Sequence, residues 1–286
     1  MNNEVGIIGN GFVGSAVAYG FASKSPMIHD VNPDLSYNTF DEVAECKHLF
    51  ICLPTPMVSL TGGEANTSIV EDCFQKLNKN QEQVIILKST VPVGTTKMLA
   101  KKHRIRNLVH CPEFLTAVNA KHDFVNAERT VIGSPYYRDG VEEKYSEMAK
   151  ELFVDVFPDT PVYTMSSCES ELVKYTANCF LATKVGFFNM IFAFAKTMNL
   201  DYHRVLEAVL SDPRIGDAHT QVPGPDGDYG FGGTCFPKDI NAMITTLQNN
   251  HISSYILESV WNDNMKYRTN WDWANNTSAV RANETR

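Results

Sequence analysis

Apolar residues in the first half of the chain form short runs that alternate with segments of helical spacing. Strand-like runs occupy residues 5–9, 27–30, 49–53, 84–87, 108–111 and 130–133. Helical spacing is found at residues 12–23, 68–77, 95–102 and 138–151. This alternation is typical of an α/β protein with helices on both faces of a doubly wound parallel sheet. We therefore predict a Rossmann-like domain over residues 1–163.

After Pro158 and Pro161 the pattern becomes helical only. Residues 166–200 carry apolar side chains at helical spacing without a proline, which predicts one long helix. Shorter helices are predicted at 201–210, 237–249 and 252–267, and residues 267–286 are predicted to be the start of a linker or a frayed tail. The second predicted domain is all-α and spans residues 164–286.

The long predicted helix is rich in aromatic residues: Phe180, Phe187, Phe188, Phe192 and Phe194. A small helical domain cannot bury apolar side chains around so long a helix. We interpret it as a connecting helix that also supports a homodimer. The alternative is a central core helix in a monomer.

Composition narrows the class of protein. The chain has 286 residues, of which 43% are hydrophobic and 20% charged, which is typical of a folded domain. Its net charge of −8 argues against a nucleic-acid partner. We expect neither a signal peptide nor a membrane-spanning segment. The seven cysteines form no CxxC pair, which favours reduced thiols in the cytoplasm over disulfides or a zinc site.

Residues 6–18, "GIIGNGFVGSAVA", follow the G-x-G-x-x-G pattern between a predicted strand and a predicted helix. Gly9 permits the tight turn, Gly11 lets a pyrophosphate approach the backbone, and Gly14 lets helix and strand pack closely. Asp30 ends the second strand-like run, where it would accept hydrogen bonds from a ribose. No arginine follows in "DVNPDL", so NAD is preferred to NADP. In the alternative interpretation the glycines serve turns only.

The segment "YGFGGTCFPKD" (residues 229–239) surrounds a cysteine with glycines. Pro237 suits the first position of a helix, so Phe236 is the predicted N-cap and Cys235 precedes the helix N-terminus, where a thiolate is favoured. Gly230, Gly232 and Gly233 would let a bulky substrate reach the sulfur. The alternative is a buried cysteine at a turn.

Together these segments resemble the UDP-glucose 6-dehydrogenase family, which also includes GDP-mannose dehydrogenases. The resemblance rests on the motifs "GNGFVG" (9–14), "ICLPTP" (51–56), "KSTVPVGTT" (88–96), "CPEFL" (111–115), "RTVIG" (129–133), "ELVKYTANCFLATK" (171–184), "DPRIG" (212–216) and "GFGGTCFPKD" (230–239). It implies a four-electron oxidation of a nucleotide sugar's primary alcohol to a carboxylate with NAD, through a thiohemiacetal and a thioester on Cys235.

UDP-glucose is the first candidate substrate. The alternatives are GDP-mannose or an N-acetylhexosamine derivative. A third alternative is a weakly active NAD-binding partner subunit of a full-length dehydrogenase.

The resemblance also implies residue roles. Lys174 and Asn178 would meet an oxygen that gains negative charge, and Asp239 would order the lysine and a water. Glu113 would be the general base for thioester hydrolysis, and Thr90 would position the water. As alternatives, Lys174 pairs with Glu171 or Glu113 caps a helix.

Further contacts are carried over from the family. The expected NAD contacts beyond the glycines and Asp30 are Phe12, Val13, Pro54, Thr55, Ser89, Thr90 and Lys238, the last as a contact to cofactor or acid groups. The expected substrate contacts besides Lys174 and Asn178 are Phe114, Leu115, Phe231, Gly232, Gly233 and, across the dimer interface, Arg214.

The chain departs from the family pattern in two places. Thr116, Ala117 and Val118 replace an Arg-Glu-Gly type segment, and Cys111 replaces an asparagine, which we interpret as packing. Family members also continue into a third, nucleotide-binding domain, whereas this sequence ends at Arg286. The chain is then a naturally short form, an excised fragment or a subunit completed by another chain. Without the third domain we expect weak binding of the nucleotide sugar.

Overall fold

The computed structural model describes residues 4–77, 82–138 and 143–281. Its contacts divide the chain into two compact units. Unit 1 comprises Met1–Thr55 and Asn66–Lys174, and unit 2 comprises Pro56–Ala65 and Tyr175–Arg286. The residues between the two parts of unit 1 therefore belong to unit 2.

The strands are β1 (Val5–Ile8), β2 (Met27–His29), β3 (His48–Ile51), β4 (Met57–Ser59), β5 (Gly62–Ala65), β6 (Val84–Leu87), β7 (Leu108–His110), β8 (Thr130–Ser134) and β9 (Val162–Ser166). The helices are α1 (Phe12–Gly20), α2 (Phe40–Ala44), α3 (Ser68–Lys76), α4 (Thr95–His103), α5 (Ala120–Val125), α6 (Lys144–Val156), α7 (Ser167–Thr197), α8 (Tyr202–Leu210), α9 (Cys235–Asn249) and α10 (Tyr255–Tyr267).

Unit 1 contains a seven-stranded sheet in the order β2-β1-β3-β6-β7-β8-β9. The first five strands in this order are parallel, β8 is antiparallel to β7, and β9 is parallel to β8. The predicted Rossmann-like class is confirmed, but the sheet is mixed, because β8 runs antiparallel to β7, and β9 was not among the predicted strands. The hydrophobic pattern reports that a strand is buried and carries no information on its direction.

The central strands of this sheet are buried on both faces. Ile7 and Ile86 belong to one apolar cluster, and their neighbours Ile8 and Leu87 belong to another. Alternate residues of a strand point to opposite faces, so helices cover both sides of the sheet. This double burial explains why the strands appear in the sequence as continuous apolar runs.

Helix α6 differs from the prediction of a helix at residues 138–151. It begins at Lys144, because the Glu143 carboxylate caps it by accepting from the Tyr145 and Ser146 amides, and it runs on to Val156. Residues 139–142 of the predicted helix lie outside the described residues.

Helix α7 is continuous over 31 residues. The division between the units falls inside it, between Lys174 and Tyr175, while the predicted boundary between residues 163 and 164 lies in β9. An 18-residue window of α7 has a mean hydropathy of 1.4, so the helix is long and apolar enough to cross a membrane. The expectation that no apolar run is long enough to span a membrane is therefore wrong for α7. Its apolar residues exposed beyond the unit boundary are Phe180, Phe187, Met190 and Phe194.

Unit 2 combines α8, α9, α10 and the hairpin β4–β5, which was not predicted. Trp261 of α10 donates from its indole nitrogen to the Thr61 carbonyl at 2.9 Å. Gly62 has φ +133°, and a Cβ there would lie 2.4 Å from the Asn241 amide oxygen. The hairpin therefore lies directly on α9.

The end of the described chain is packed, not frayed as predicted for residues 267–286. Trp273 has no exposed surface. The Met57 amide donates to the Ala279 carbonyl at 2.7 Å, and the Arg281 amide donates to Met57 at 2.9 Å. A single turn of 3-10 helix at Asp272–Asn275 places the tryptophan. Residues 282–286 lie outside the described part.

Candidate active site

The glycine-rich loop of unit 1 has the geometry that a dinucleotide requires. Gly9 has φ +93°, and a Cβ on Gly14 would lie 1.8 Å from the Gly9 carbonyl oxygen, so α1 can begin close to β1 only with glycine there. Gly11 is the N-cap of α1 without a side-chain cap, and a Cβ on it would meet nothing within 4 Å. The helix amides are thus open to a phosphate.

The Asp30 carboxylate is fixed beside this loop. One oxygen accepts from the Asn10 amide at 2.6 Å, and the other accepts from the Asn32 amide at 2.8 Å. Each oxygen keeps acceptor capacity, so the residue fits the predicted contact to ribose hydroxyls.

The loops after β3 and β6 carry further predicted NAD contacts. Thr55 donates from its hydroxyl to the Thr90 carbonyl at 2.6 Å, and Ser89 accepts from the Leu53 amide at 3.0 Å. These loops follow the carboxyl ends of neighbouring parallel strands, where α/β sheets bind ligands. Thr55, Ser89 and Thr90 are buried, whereas Phe12, Val13 and Pro54 are half-buried.

Glu113 and Lys174 form a buried ion pair in unit 1. The Lys174 ammonium lies 2.9 Å from Glu113 Oε1, and the Leu115 amide donates to Oε2 at 2.7 Å. Burial alone would raise the pKa of Glu113, but the charge of Lys174 and the Leu115 amide hold this pKa below its usual value. The carboxylate is therefore ionised, as a general base must be.

Both alternative interpretations of this pair differ from the structure. Glu171 accepts from the Gly94 amide at 2.5 Å and the Thr96 amide at 2.7 Å, and Lys174 pairs with Glu113 instead. Burial raises the pKa of Glu171 to about 7. Glu113 caps no helix, because the N-cap of the following helix α5 is Asn119.

Two cations contact the Phe114 ring, an arrangement that was not predicted from the sequence. The Arg129 guanidinium carbon is 4.2 Å from the ring centroid, and the Lys174 ammonium is 5.6 Å from it. Such contacts stabilise a cation by about 0.5–2 kcal/mol each. Arg129 begins the quoted motif "RTVIG", so the signal was present but carried no assigned role.

Unit 2 holds a second buried polar cluster. The Asn178 side-chain amide donates to Asp239 Oδ2 at 2.6 Å, and the Lys238 ammonium pairs with Asp239 Oδ1. All three side chains are buried. Lys238 therefore contacts an acid group of the protein, and its predicted contact to the cofactor stays a prediction.

Cys235 is the first residue of α9, and Thr234 is the N-cap. The predicted helix start at Pro237 is two residues too late, since a proline is tolerated throughout the first turn, whose amides lack intrahelical partners. Cys235 is half-buried. Its position at the positive end of the helix dipole favours negative charge on the sulfur.

Two of the three glycines before Cys235 are required for a different reason from the predicted access of a substrate to the sulfur. A Cβ on Gly230 would lie 2.2 Å from the Asn264 side chain, and one on Gly232 would lie 2.0 Å from the Arg268 guanidinium. Side chains of unit 2 therefore occupy the positions that a side chain on Gly230 or Gly232 would need. Only Gly233, with φ +72°, has open space at its side-chain position, as the prediction of bare backbone requires.

The remaining predicted substrate residues lie in different surroundings. Phe231 is buried, and its amide and carbonyl both bond to the Asn264 side chain. Arg214 is exposed and forms an ion pair with Asp212. Phe114 and Leu115 are half-buried in unit 1.

None of the seven cysteines, all within the described residues, forms a disulfide.

Comparisons with known proteins agree with these features. Residues 27–156 match the NAD binding domain of the UDP-glucose/GDP-mannose dehydrogenase family, and residues 168–266 match its central domain. The prediction of NAD as the cofactor is thereby confirmed.

Individual relatives point the same way. The UDP-glucose 6-dehydrogenase of Rickettsia bellii is 34% identical over 240 residues, covering 80% of this chain and 52% of the relative. One from Bacillus subtilis is 34% identical over 229 residues, covering 77% of this chain and 46% of the relative. The chain thus spans about half the length of the curated relatives it matches.

Solved structures share the fold. A UDP-glucose dehydrogenase from Pyrobaculum islandicum has a TM-score of 0.78 at 28% identity, covering 93% of this chain and 68% of that one. The GDP-mannose dehydrogenase of Pseudomonas aeruginosa has a TM-score of 0.65 at 21% identity, and the match covers 93% of this chain and 69% of that one. At this identity the likeness supports the fold alone. With two domain models of one family matched in order along most of its length, the chain belongs to the UDP-glucose/GDP-mannose dehydrogenase family.

Proposed function

We propose that this chain carries out the NAD-dependent oxidation of a nucleotide sugar's primary alcohol to a carboxylate. The observation that carries the proposal is the pairing of every predicted catalytic carboxylate with a buried donor, together with a half-buried cysteine at a helix N-terminus. UDP-glucose is the first candidate, because the two curated relatives described above are named UDP-glucose 6-dehydrogenases.

Bound NAD would accept a hydride in each of two oxidations, while the chain holds the carbon being oxidised. After the first oxidation, the Cys235 sulfur adds to the aldehyde carbon and forms a C–S bond. Loss of the second hydride converts this thiohemiacetal to a thioester. Water then attacks the thioester carbon, the C–S bond breaks, and the carboxylate and the thiolate are released.

The buried polar groups have separate roles in this scheme. Glu113, which is ionised because the charge of Lys174 holds its pKa low, takes the proton of the attacking water, and Thr90 positions that water. Asn178, held by Asp239, and Lys174 stabilise the oxygen on which charge develops. Asp239 also pairs with Lys238, a different lysine from Lys174, and its predicted ordering of Lys174 and a water stays a prediction. The scheme requires a reducing compartment such as the cytoplasm, since Cys235 must stay a thiol.

A trapped intermediate tests this function. The Glu113→Gln variant, incubated with NAD and UDP-glucose, should retain a covalent adduct on Cys235 that is detectable by intact mass. The wild type should form two NADH per sugar oxidised. Cys235→Ser should abolish acid formation, whereas Cys168→Ser, which removes another half-buried thiol, should not.

Two outcomes would decide against the proposal. If a folded protein forms NADH from none of UDP-glucose, GDP-mannose or N-acetylhexosamine nucleotides, the NAD-binding partner interpretation replaces it. If NADH forms but the Cys235 sulfur never carries an adduct, the cysteine scheme is wrong.

The proposal includes a homodimer through α7. Exposed phenylalanines at 180, 187 and 194 lie on this helix within unit 2, and a second copy of the same helix would bury them. The exposed Arg214 would then be available to the partner's substrate. A dimer accounts for the apolar face of α7 without a membrane.

A further inference from the structure

Lys88 is a buried cation that the proposed chemistry does not use. It exposes 4% of its surface at the end of β6. Its ammonium donates to the Pro112 carbonyl at 3.1 Å and to the Cys111 thiol at 3.6 Å. Among the described residues, no carboxylate oxygen lies within 4.0 Å of the Lys88 ammonium. A buried ammonium without a carboxylate in direct contact is costly, so its retention requires a reason.

Lys88 lines a cavity of about 340 Å³ that lies wholly within unit 1. The ammonium is 5.7 Å from the ring centroid of Phe124 and 5.9 Å from that of Phe153. Phe114 and Phe157 also line the space. The cavity is therefore walled by four aromatic rings and has a cation at its buried side.

Arg129 provides a second cation on the same cavity. It is half-buried and stacks on Phe114 at 4.2 Å, and within the described part of the chain its guanidinium has no hydrogen bond or ion pair to the protein. The nearby carboxylates are engaged elsewhere or exposed: Glu113 pairs with Lys174, Asp123 accepts from Thr116, and Glu128 is exposed. Both cations thus remain available to a ligand.

The geometry points to a binding site for a small organic monocarboxylate, whose carboxylate contacts Lys88 and Arg129 and whose aromatic or branched apolar body lies among the four phenylalanine rings. Arginine and lysine are the usual partners of a desolvated carboxylate. The volume lies near the lower limit of about 300–1,000 Å³ for small-molecule pockets, which suits such a ligand better than a dinucleotide or a nucleotide sugar.

This site goes beyond the proposed oxidation. Glu113, Phe114 and Leu115, which the proposed oxidation uses, also line the cavity. The other three rings, Phe124, Phe153 and Phe157, lie on α5, on α6 and just after α6 and were assigned to neither the cofactor nor the nucleotide sugar. One link rests on the proposed function. Lys88 is among the charges that lower the pKa of Glu113, so an anion beside Lys88 would make Glu113 easier to protonate.

Titration of the full chain with benzoate tests the site, with binding measured by calorimetry or by ligand-observed NMR. Saturable binding at one site is expected, with benzyl alcohol and inorganic phosphate each binding about tenfold more weakly or worse, because each lacks one half of the ligand. Lys88→Met should weaken benzoate about tenfold or more, and Arg129→Gln should weaken it about threefold to tenfold. Lys121→Met, which removes an exposed lysine from α5, should bind like the wild type.

Each other outcome overturns the proposal. Absence of saturable benzoate binding to protein shown to be folded by circular dichroism removes the site. Equal binding of benzyl alcohol removes the role of the cations, and equal binding of phosphate removes that of the rings. If Lys88→Met does not fold, unchanged binding in Arg129→Gln decides against the site. Since the readout is binding and not NADH formation, failure of the proposed oxidation is recognised separately.

Discussion

Units 1 and 2 each bury a lysine against a carboxylate, but they assemble the two charges differently. In unit 1, Glu113 comes from the loop after β7 and Lys174 from α7, and the carboxylate has the Leu115 amide as a further donor. In unit 2, Lys238 and Asp239 are neighbours on α9, and the one carboxylate also accepts from Asn178. Asp239 is therefore the single acceptor for two buried donors.

The comparison predicts that Asp239→Ala is the most damaging change in either cluster. It leaves the Lys238 ammonium without its counter-ion and the Asn178 amide without its acceptor, so we expect a loss of about 3–5 kcal/mol in unfolding free energy. Denaturant titration measures it. Asp263→Ala, at an exposed ion pair of α10, is the matched control and should change stability by about 0.5 kcal/mol or less. A loss below about 1 kcal/mol for Asp239→Ala would contradict the assignment.

Breaking the unit 1 pair should cost less. In Glu113→Gln the Lys174 ammonium keeps the face of the Phe114 ring at 5.6 Å, so we expect a loss of about 2–3 kcal/mol. Adding Phe114→Leu to this variant should cost more than Phe114→Leu does in the wild type. A double-mutant cycle by denaturant unfolding measures this coupling, and additive effects would show that the ring does not support the lysine.

The pH dependence of unit 1 gives a third test. His110 is fully buried, and its Nδ1 lies 2.8 Å from the Ser170 hydroxyl. Burial and the charge of Lys88 lower the pKa of His110 from 6.5 to about 3. Below pH 6.5 the unfolded chain binds a proton that the folded chain does not, so this contribution to stability is present above that pH and is lost as pH falls towards about 3.

Between about pH 7 and pH 5 the His110 contribution should fall by on the order of 2 kcal/mol. Unfolding titrations of His110→Gln should show a shallower pH slope than the wild type. Val118→Ala, at an exposed position where no titratable group is added or removed, provides the control and should leave the slope unchanged. Parallel slopes for the wild type and His110→Gln would contradict the buried neutral histidine.

The change expected to affect the fold least is a substitution at an exposed phenylalanine on the surface of unit 2. Phe187 on α7 is 51% exposed, so Phe187→Asp should leave the helix content unchanged while reducing the sedimentation mass from dimer to monomer. Tyr255→Asp, at a more exposed aromatic residue of α10, should retain the dimer. A monomeric wild type would contradict the dimer proposal. A Phe187→Asp variant that stays dimeric would show that the interface lies elsewhere.

Most of the unit 1 fold was predictable because its chemistry is local. The glycine spacing, the strand at 84–87 and the helix start at Phe12 all depend on neighbouring residues, and the structure has them as predicted. The direction of β8 was not predictable, since it depends on the path of the chain between strands.

The polar clusters were predictable in membership and not in pairing. Glu113, Lys174, Asn178 and Asp239 were all singled out, but sequence could not indicate which donor meets which acceptor across some sixty residues of chain. Arg129 and Asn264 were missed because their roles depend on the ring and the glycine that each contacts. The hairpin β4–β5 was missed because "MVSLTGGEA" lacks a clear alternation of apolar and polar residues.

That hairpin limits how relatives of this chain can exchange parts. Because residues 56–65 belong to unit 2 although unit 1 resumes after them, a chimaera joined only within α7 would combine a helical half from one parent with a mismatched β-ribbon from the other. Recombination between homologues should therefore be tolerated only when both segments are inherited together.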